Sequence, residues 1–193
     1  MPQHEHQRGV WLRDFARFKR QTAWKRVRRA GQQFIDNFRK ELLRTNCDKE
    51  ADIDKPLTVA MRLLLKRLGA DVEDQLPVVQ ITDQNRHPAD IAFTRGKTRW
   101  IVEIKTNLDF NSLGAAVLGA MAFRKDNPKT NFMLLCLYHK PKKGDLRQAL
   151  DYCDLHEMID SMIVLTRNGD GDDYYENFAD RLNELVDIIE KIT

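Results

Sequence analysis

The stretch from His87 to Asn107, HPADIAFTRGKTRWIVEIKTN, leaves the backbone few alternatives. Two apolar runs, Ile91-Ala92-Phe93 and Trp100-Ile101-Val102, flank Arg95-Gly96-Lys97-Thr98. Glycine takes positive φ without steric penalty, and a two-residue loop with glycine first is the type II′ hairpin turn. With Gly96-Lys97 as the loop, residues whose numbers sum to 193 stand opposite one another, and Asp90 and Glu103 are such a pair. Directly opposed Cβ atoms lie about 4.5–5.5 Å apart, and like charges so placed repel unless something positive intervenes. Lys105, two residues beyond Glu103, projects to the same face. Two acids and one lysine on one sheet face suit a divalent cation with a cationic helper.

The rest of the chain reads as alternating helices and strands. Residues 9 to 45 carry aromatic and aliphatic residues at helical spacing, which predicts a helix in two pieces broken near Gly31. Residues 46 to 55 read as a loop. Pro56 starts a helix over 57–68 that Gly69 closes in the C′ position. QLPVVQIT, residues 75–82, reads as a strand, and the hairpin follows. Asn111-Ser112 is expected to cap a helix over 113–124. Gly114, Ala115, Ala116, Gly119, Ala120 and Ala122 let that helix pack closely on a sheet, with a dimer contact as the lesser use. FMLLCLYH, residues 132–139, suits a doubly covered central strand. A helix over 145–156, a strand over 162–166 and an acidic amphipathic helix over 174–192 complete the chain. The class is α/β: a central mixed β-sheet flanked by helices, in a single domain of a basic helical arm (1–45) and a core (46–193).

Composition narrows the setting. A chain of 193 residues is long enough to bury a substantial core. No apolar run approaches the roughly 18–20 residues of a membrane span, and the N-terminus lacks the apolar segment of a signal peptide. Three cysteines without CxxC spacing fit a reduced, cytoplasmic protein; Cys136 is expected in the core, and Cys153 with His156 is too small a set for zinc. His87 and His139 have no motif around them. Net charge is only +3, but residues 8–44 carry twelve Lys and Arg against Asp14, Asp36 and Glu41. The C-terminal end is acidic. Such asymmetry points to a polyanionic partner, with Arg13, Arg17, Arg20, Lys25, Arg28 and Arg29 as candidate phosphate contacts. Lys142 and Lys143, in the loop Lys140–Gly144, are a second group.

Asp90, Glu103 and Lys105, inside this helix–strand–strand–strand–helix–strand order, resemble the PD-(D/E)XK nuclease superfamily, whose best-known members are type II restriction endonucleases. The resemblance covers residues 57–139; the family's Pro-Asp pair appears one residue wider, as Pro88-Ala89-Asp90. It implies a restriction-endonuclease-like core in which Asp90 and Glu103 ligate Mg²⁺, with the Ile104 carbonyl as a third oxygen. Lys105 would orient or help deprotonate the attacking water and stabilise the transition state. Many members carry a further Glu on the helix before the first strand. Here that helix, PLTVAMRLLLKRLG, has no acid in its body; Glu50, Asp52 and Asp54 lie just before it and Glu41 on the preceding helix, and Glu50 is the choice among them.

The expectation is a Mg²⁺-dependent DNA endonuclease, acting as a homodimer because two-fold symmetry matches duplex DNA. The alternatives are a structure- or damage-directed nuclease of the same fold and a non-catalytic nucleic-acid-binding protein that keeps it.

Overall fold

The computed structural model describes residues 5–45, 50–80, 86–139, 159–167 and 174–193. In chain order the elements are α1 (Glu5–Phe18), α2 (Thr22–Arg26), α3 (Arg29–Arg44), a 3₁₀ turn (Glu50–Ile53), α4 (Asp54–Arg67), β1 (Asp71–Val72), β2 (Val78–Gln80), β3 (Arg86–Pro88), β4 (Ile91–Arg95), β5 (Thr98–Leu108), α5 (Phe110–Asp126), β6 (Asn131–His139), β7 (Ser161–Arg167) and α6 (Tyr174–Lys191). They form two compact units. One is helical, from α1–α4 and α6; the other holds the strands and α5. Along the chain, the division falls after Gly69.

The helical unit is organised by aromatic residues. Phe178 of α6 lies 4.7 Å from Phe18 and 6.2 Å from Phe15 of α1, and Phe15 lies 5.3 Å from Phe38 of α3, centroid to centroid. These distances fall in the range where ring pairs add to simple area burial. Along α3 the buried residues are Gly31, Phe34, Ile35, Phe38 and Leu42, a single helical stripe. The expected break near Gly31 is corrected: the chain breaks after Phe18 and again at Val27-Arg28, and Gly31 lies inside α3. A Cβ on Gly31 would stand 2.9 Å from Val27 Cγ1 and 3.6 Å from Leu182 Cβ, so this glycine permits close helix approach. α4 starts two residues before Pro56, a position in its first turn that proline tolerates. Gly69 closes it at φ +82°, as read from the sequence.

The acidic C-terminal helix and the basic N-terminal segment meet within this unit. Arg26 pairs with Glu176 and with Asp180 at 2.8 Å, and Arg28 with Asp187 and with Glu190 at 2.7 Å. Asn183 accepts the Arg28 N–H at 2.9 Å and donates to the Arg26 carbonyl at 3.1 Å. Burial raises the pKa of Asp14 above its ordinary 3.8, partly opposed by Arg17 and Arg13. The folded state therefore holds that proton more tightly than the unfolded chain. The resulting destabilisation is absent below about pH 3.8 and complete above the folded-state pKa. Asp14→Asn is expected to give a small gain in stability at neutral pH that vanishes in acid, as urea melts at the two pH values will show.

In the other unit the five-stranded sheet runs β1-β4-β5-β6-β7, antiparallel from β1 to β5 and parallel from β5 to β7. This is the expected mixed sheet of an α/β protein. Its edge strand is Asp71–Val72, too short to register as a pattern. Part of the QLPVVQIT segment, Val78–Gln80, instead pairs with β3 in a separate two-stranded ribbon. Arg99 grips Glu73 with two bonds of 2.7 and 2.8 Å, tying β1 to β5.

α5 begins one strand-end earlier than expected. Asp109, rather than Asn111-Ser112, is the N-cap: its Oδ1 accepts from the Ser112 N–H, and its own N–H donates to Ser112 Oγ, both at 2.8 Å. Leu113, Ala116, Ala120 and Phe123 join Ala92, Ile101, Phe132, Leu134 and Cys136 in one core. The small residues at 116 and 120 thus serve packing, and Cys136 is buried in the core as expected. The segment holding Lys142, Lys143, Cys153, His156 and the expected 145–156 helix lies outside the described residues. Among the described residues no helix is long and apolar enough to cross a membrane.

Candidate active site

The hairpin register follows from its turn. Arg95 pairs with Thr98, Phe93 with Trp100 and Ile91 with Val102, and Gly96 has φ +59°. That positive φ is what a type II′ turn demands of its first central residue. A side chain at Gly96 would also collide with the backbone, since its Cβ would lie 2.2 Å from the Thr193 carbonyl carbon.

The ladder stops at Ile91, one residue short of Asp90. Continued in register, Ala89 would face Ile104, but the Ala89 N–H donates instead to Pro77 O at 3.0 Å. The chain has turned away from β5 toward the β2 ribbon. The Asp90 carboxylate takes the vacated place, accepting the Ile104 N–H on Oδ2 at 2.7 Å. A residue's N–H and C=O point to the same side of a strand in an antiparallel ladder, so the Ile104 carbonyl also faces the Asp90 side.

Glu103 and Lys105 share the sheet face of Ile101, as period two requires, and align with Leu134 and Cys136 of β6. Glu103 is buried, at 1 % exposure, which for a carboxylate demands partners. The Lys105 ammonium provides one, donating to Glu103 Oε1 at 2.6 Å, and its side chain stays a quarter exposed. The site thus has a buried acid, a lysine reaching from it toward the surface, and a second acid fixed to the backbone between them.

Asn107 is the next residue on that face, and reading the sequence for acids and lysines passes over it. Its Oδ1 is buried without a hydrogen-bond partner among the described residues. The same period-two count that links Glu103 to Lys105 finds it.

The remaining candidates are placed as follows. Glu50 opens the 3₁₀ turn of the helical unit, and its side chain lies outside the described residues. Arg13, Arg17, Arg20, Lys25 and Arg29 are exposed. Arg28 is also exposed, but its guanidinium is engaged by Asp187 and Glu190, which raise its pKa. The side chains of His87 and His139 are outside the described residues. Among the described residues no group of three or more His, Cys, Asp and Glu is arranged to hold a metal.

No protein-family profile matches this sequence, and no curated protein does. Among solved structures, the chain is similar to the restriction endonuclease PspGI in complex with substrate DNA, with a TM-score of 0.47 and 13% identity over 79% of this chain and 67% of that one. It is also similar to the native BbvCI A2B2 tetramer, with a TM-score of 0.39 and 14% identity over 95% of this chain and 93% of that one.

Proposed function

We propose that this protein is a Mg²⁺-dependent endonuclease that hydrolyses DNA phosphodiester bonds, most like a small restriction endonuclease. The observation that carries the reading is the Glu103–Lys105 pair, a buried carboxylate bonded to a part-exposed ammonium, beside Asp90 at the end of the ladder.

The donor chemistry fits magnesium. Asp90, Glu103 and the Ile104 carbonyl are hard oxygen ligands and few in number, the set that Mg²⁺ accepts because it keeps several waters. A soft or fully encaged metal such as structural zinc needs four protein ligands, commonly including thiolates. When bound, the ion lowers the pKa of a coordinated water and offsets charge on the phosphate.

The chain's own residues do the rest. The backbone bond from Ile104 fixes Asp90 in one orientation. Burial of Glu103 beside Leu134 keeps bulk water from its carboxylate. Lys105 extends from this pair, where its ammonium donates to a non-bridging phosphate oxygen or orients the attacking water. Arg13, Arg17, Arg20, Lys25 and Arg29 contact backbone phosphates and position the duplex without reading its sequence; Lys142 and Lys143 add to them. Arg28 is left out of this set because its fork is already filled by carboxylates. Two copies related by a two-fold axis cut the two strands.

Incubation with supercoiled plasmid is the direct test. Mg²⁺ is expected to produce cleavage, and chelator to abolish it; sequenced fragment ends then show whether a site is read. Binding without cleavage of duplex, single-stranded DNA or RNA would leave a non-catalytic nucleic-acid-binding protein. Cleavage confined to branched or damaged DNA would identify a structure-directed nuclease.

A further inference from the structure

Asn107 follows Glu103 and Lys105 in one row on one face of β5. Its amide Oδ1 is buried without a hydrogen-bond partner among the described residues, while its backbone oxygen accepts the Ser112 hydroxyl at 3.0 Å. The backbone is therefore fixed at the junction of β5 and α5, and the side chain offers an unused acceptor. A buried amide oxygen is costly to leave unpaired, so this one can accept a donor that comes within its reach.

Lys105 stands between two acceptors. Residues two apart on a strand are separated by about 6–7 Å, within reach of a lysine's four-carbon stem. On one side Glu103 takes the ammonium at 2.6 Å; on the other, Asn107 Oδ1 has no donor. Building on the metal-dependent reading above, we infer that Asn107 is a positioning residue for Lys105. When a divalent cation occupies Glu103, the ammonium passes to Asn107 Oδ1.

The cation and the ammonium compete for one carboxylate, and their like charges repel in a site with little water to screen them. A neutral amide oxygen accepts the displaced ammonium without drawing the metal from Glu103. The lysine then stays beside the reacting phosphate. Without Asn107, this row offers the ammonium Glu103 alone, and the cation and the ammonium contend for that one carboxylate.

The test is calorimetric titration of the DNA-free protein with Mg²⁺, with circular dichroism as a check that each variant is folded. Asn107→Ala is expected to weaken Mg²⁺ binding about ten- to hundredfold, the effect of losing one charge-assisted hydrogen bond. Asn107→Asp restores an acceptor and should bind at least as tightly as the unaltered protein. Asn107→Leu, nearer in size, should behave like alanine and replaces it if the alanine variant does not fold. The side-chain ¹⁵N resonance of Lys105, assigned by its loss in Lys105→Arg, should shift with Mg²⁺ in the unaltered protein and shift less in Asn107→Leu. Equal affinity in all variants, with Mg²⁺ still bound, would overturn the role of Asn107 and leave the nuclease reading intact. Failure of the unaltered protein to bind Mg²⁺ would overturn both.

Discussion

Lys105→Ala is expected to lower the stability of the protein by about 3 kcal/mol and DNA cleavage by about 10²–10³-fold. The two losses have different origins. Glu103 is almost fully buried, and its 2.6 Å bond to Lys105 supplies the positive charge that burial requires. Removing one member of a buried pair strands the other, which costs far more than removing both. Glu103→Gln should therefore be milder in stability, about 1 kcal/mol, because it abolishes the buried charge and frees a lysine already near solvent. The double variant Lys105→Met, Glu103→Leu should lie close to the unaltered protein in stability while remaining inactive. Urea unfolding followed by tryptophan fluorescence measures the first effect, and plasmid cleavage at a temperature where all variants are folded measures the second. Cleavage at the unaltered rate in Lys105→Ala would remove this lysine from the mechanism. Equal stability for Lys105→Ala and Glu103→Gln would show that Glu103 does not depend on its ammonium.

Phe178→Ala is expected to cost about 3–5 kcal/mol, the range for deleting a large aromatic side chain from a packed core. Phe178 has 1 % exposure and contacts Phe15 and Phe18, so its loss opens a void among rings that cannot readily collapse onto one another. The surface pairs joining Arg26 and Arg28 to α6 are exposed and screened by water, so they do not compensate. Leu118→Ala provides the contrast. Leu118 is about half exposed on α5, and its truncation should change stability by less than about 0.5 kcal/mol. A Phe178→Ala protein as stable as Leu118→Ala would mean that the aromatic cluster does not hold the helical unit together.

The parts legible in the sequence were those that local stereochemistry decides. Gly96 settles the turn, the turn settles the register, and period two then places Glu103 and Lys105 together. Gly69 marks the end of α4 for the same kind of reason. Features that depend on distant partners were not legible. Asp90 bonds Ile104 because Ala89 is drawn to Pro77, a choice made by the β2 ribbon and invisible in the hairpin's own residues. The charge asymmetry of the chain reads as a basic arm with an acidic far end. In the fold, segments more than 150 residues apart neutralise part of each other, at Arg26 and Arg28. Asp71–Val72 escapes notice because two residues carry no periodicity, and Asp109 because a cap directly after a strand looks like the strand's last residue.

The place where the ladder stops divides the site mechanically. β5 is bonded to β4 only as far as Val102, while its parallel ladder to β6 runs on past it, so Glu103 and Lys105 are held by β6 just beyond the last rung of the hairpin. Asp90 lies just past the last rung and is joined to β5 through its own carboxylate. One half of the site is thus as rigid as the sheet. The other is held by a side chain rather than by the ladder, so the placing of the second acid depends on one carboxylate–backbone bond.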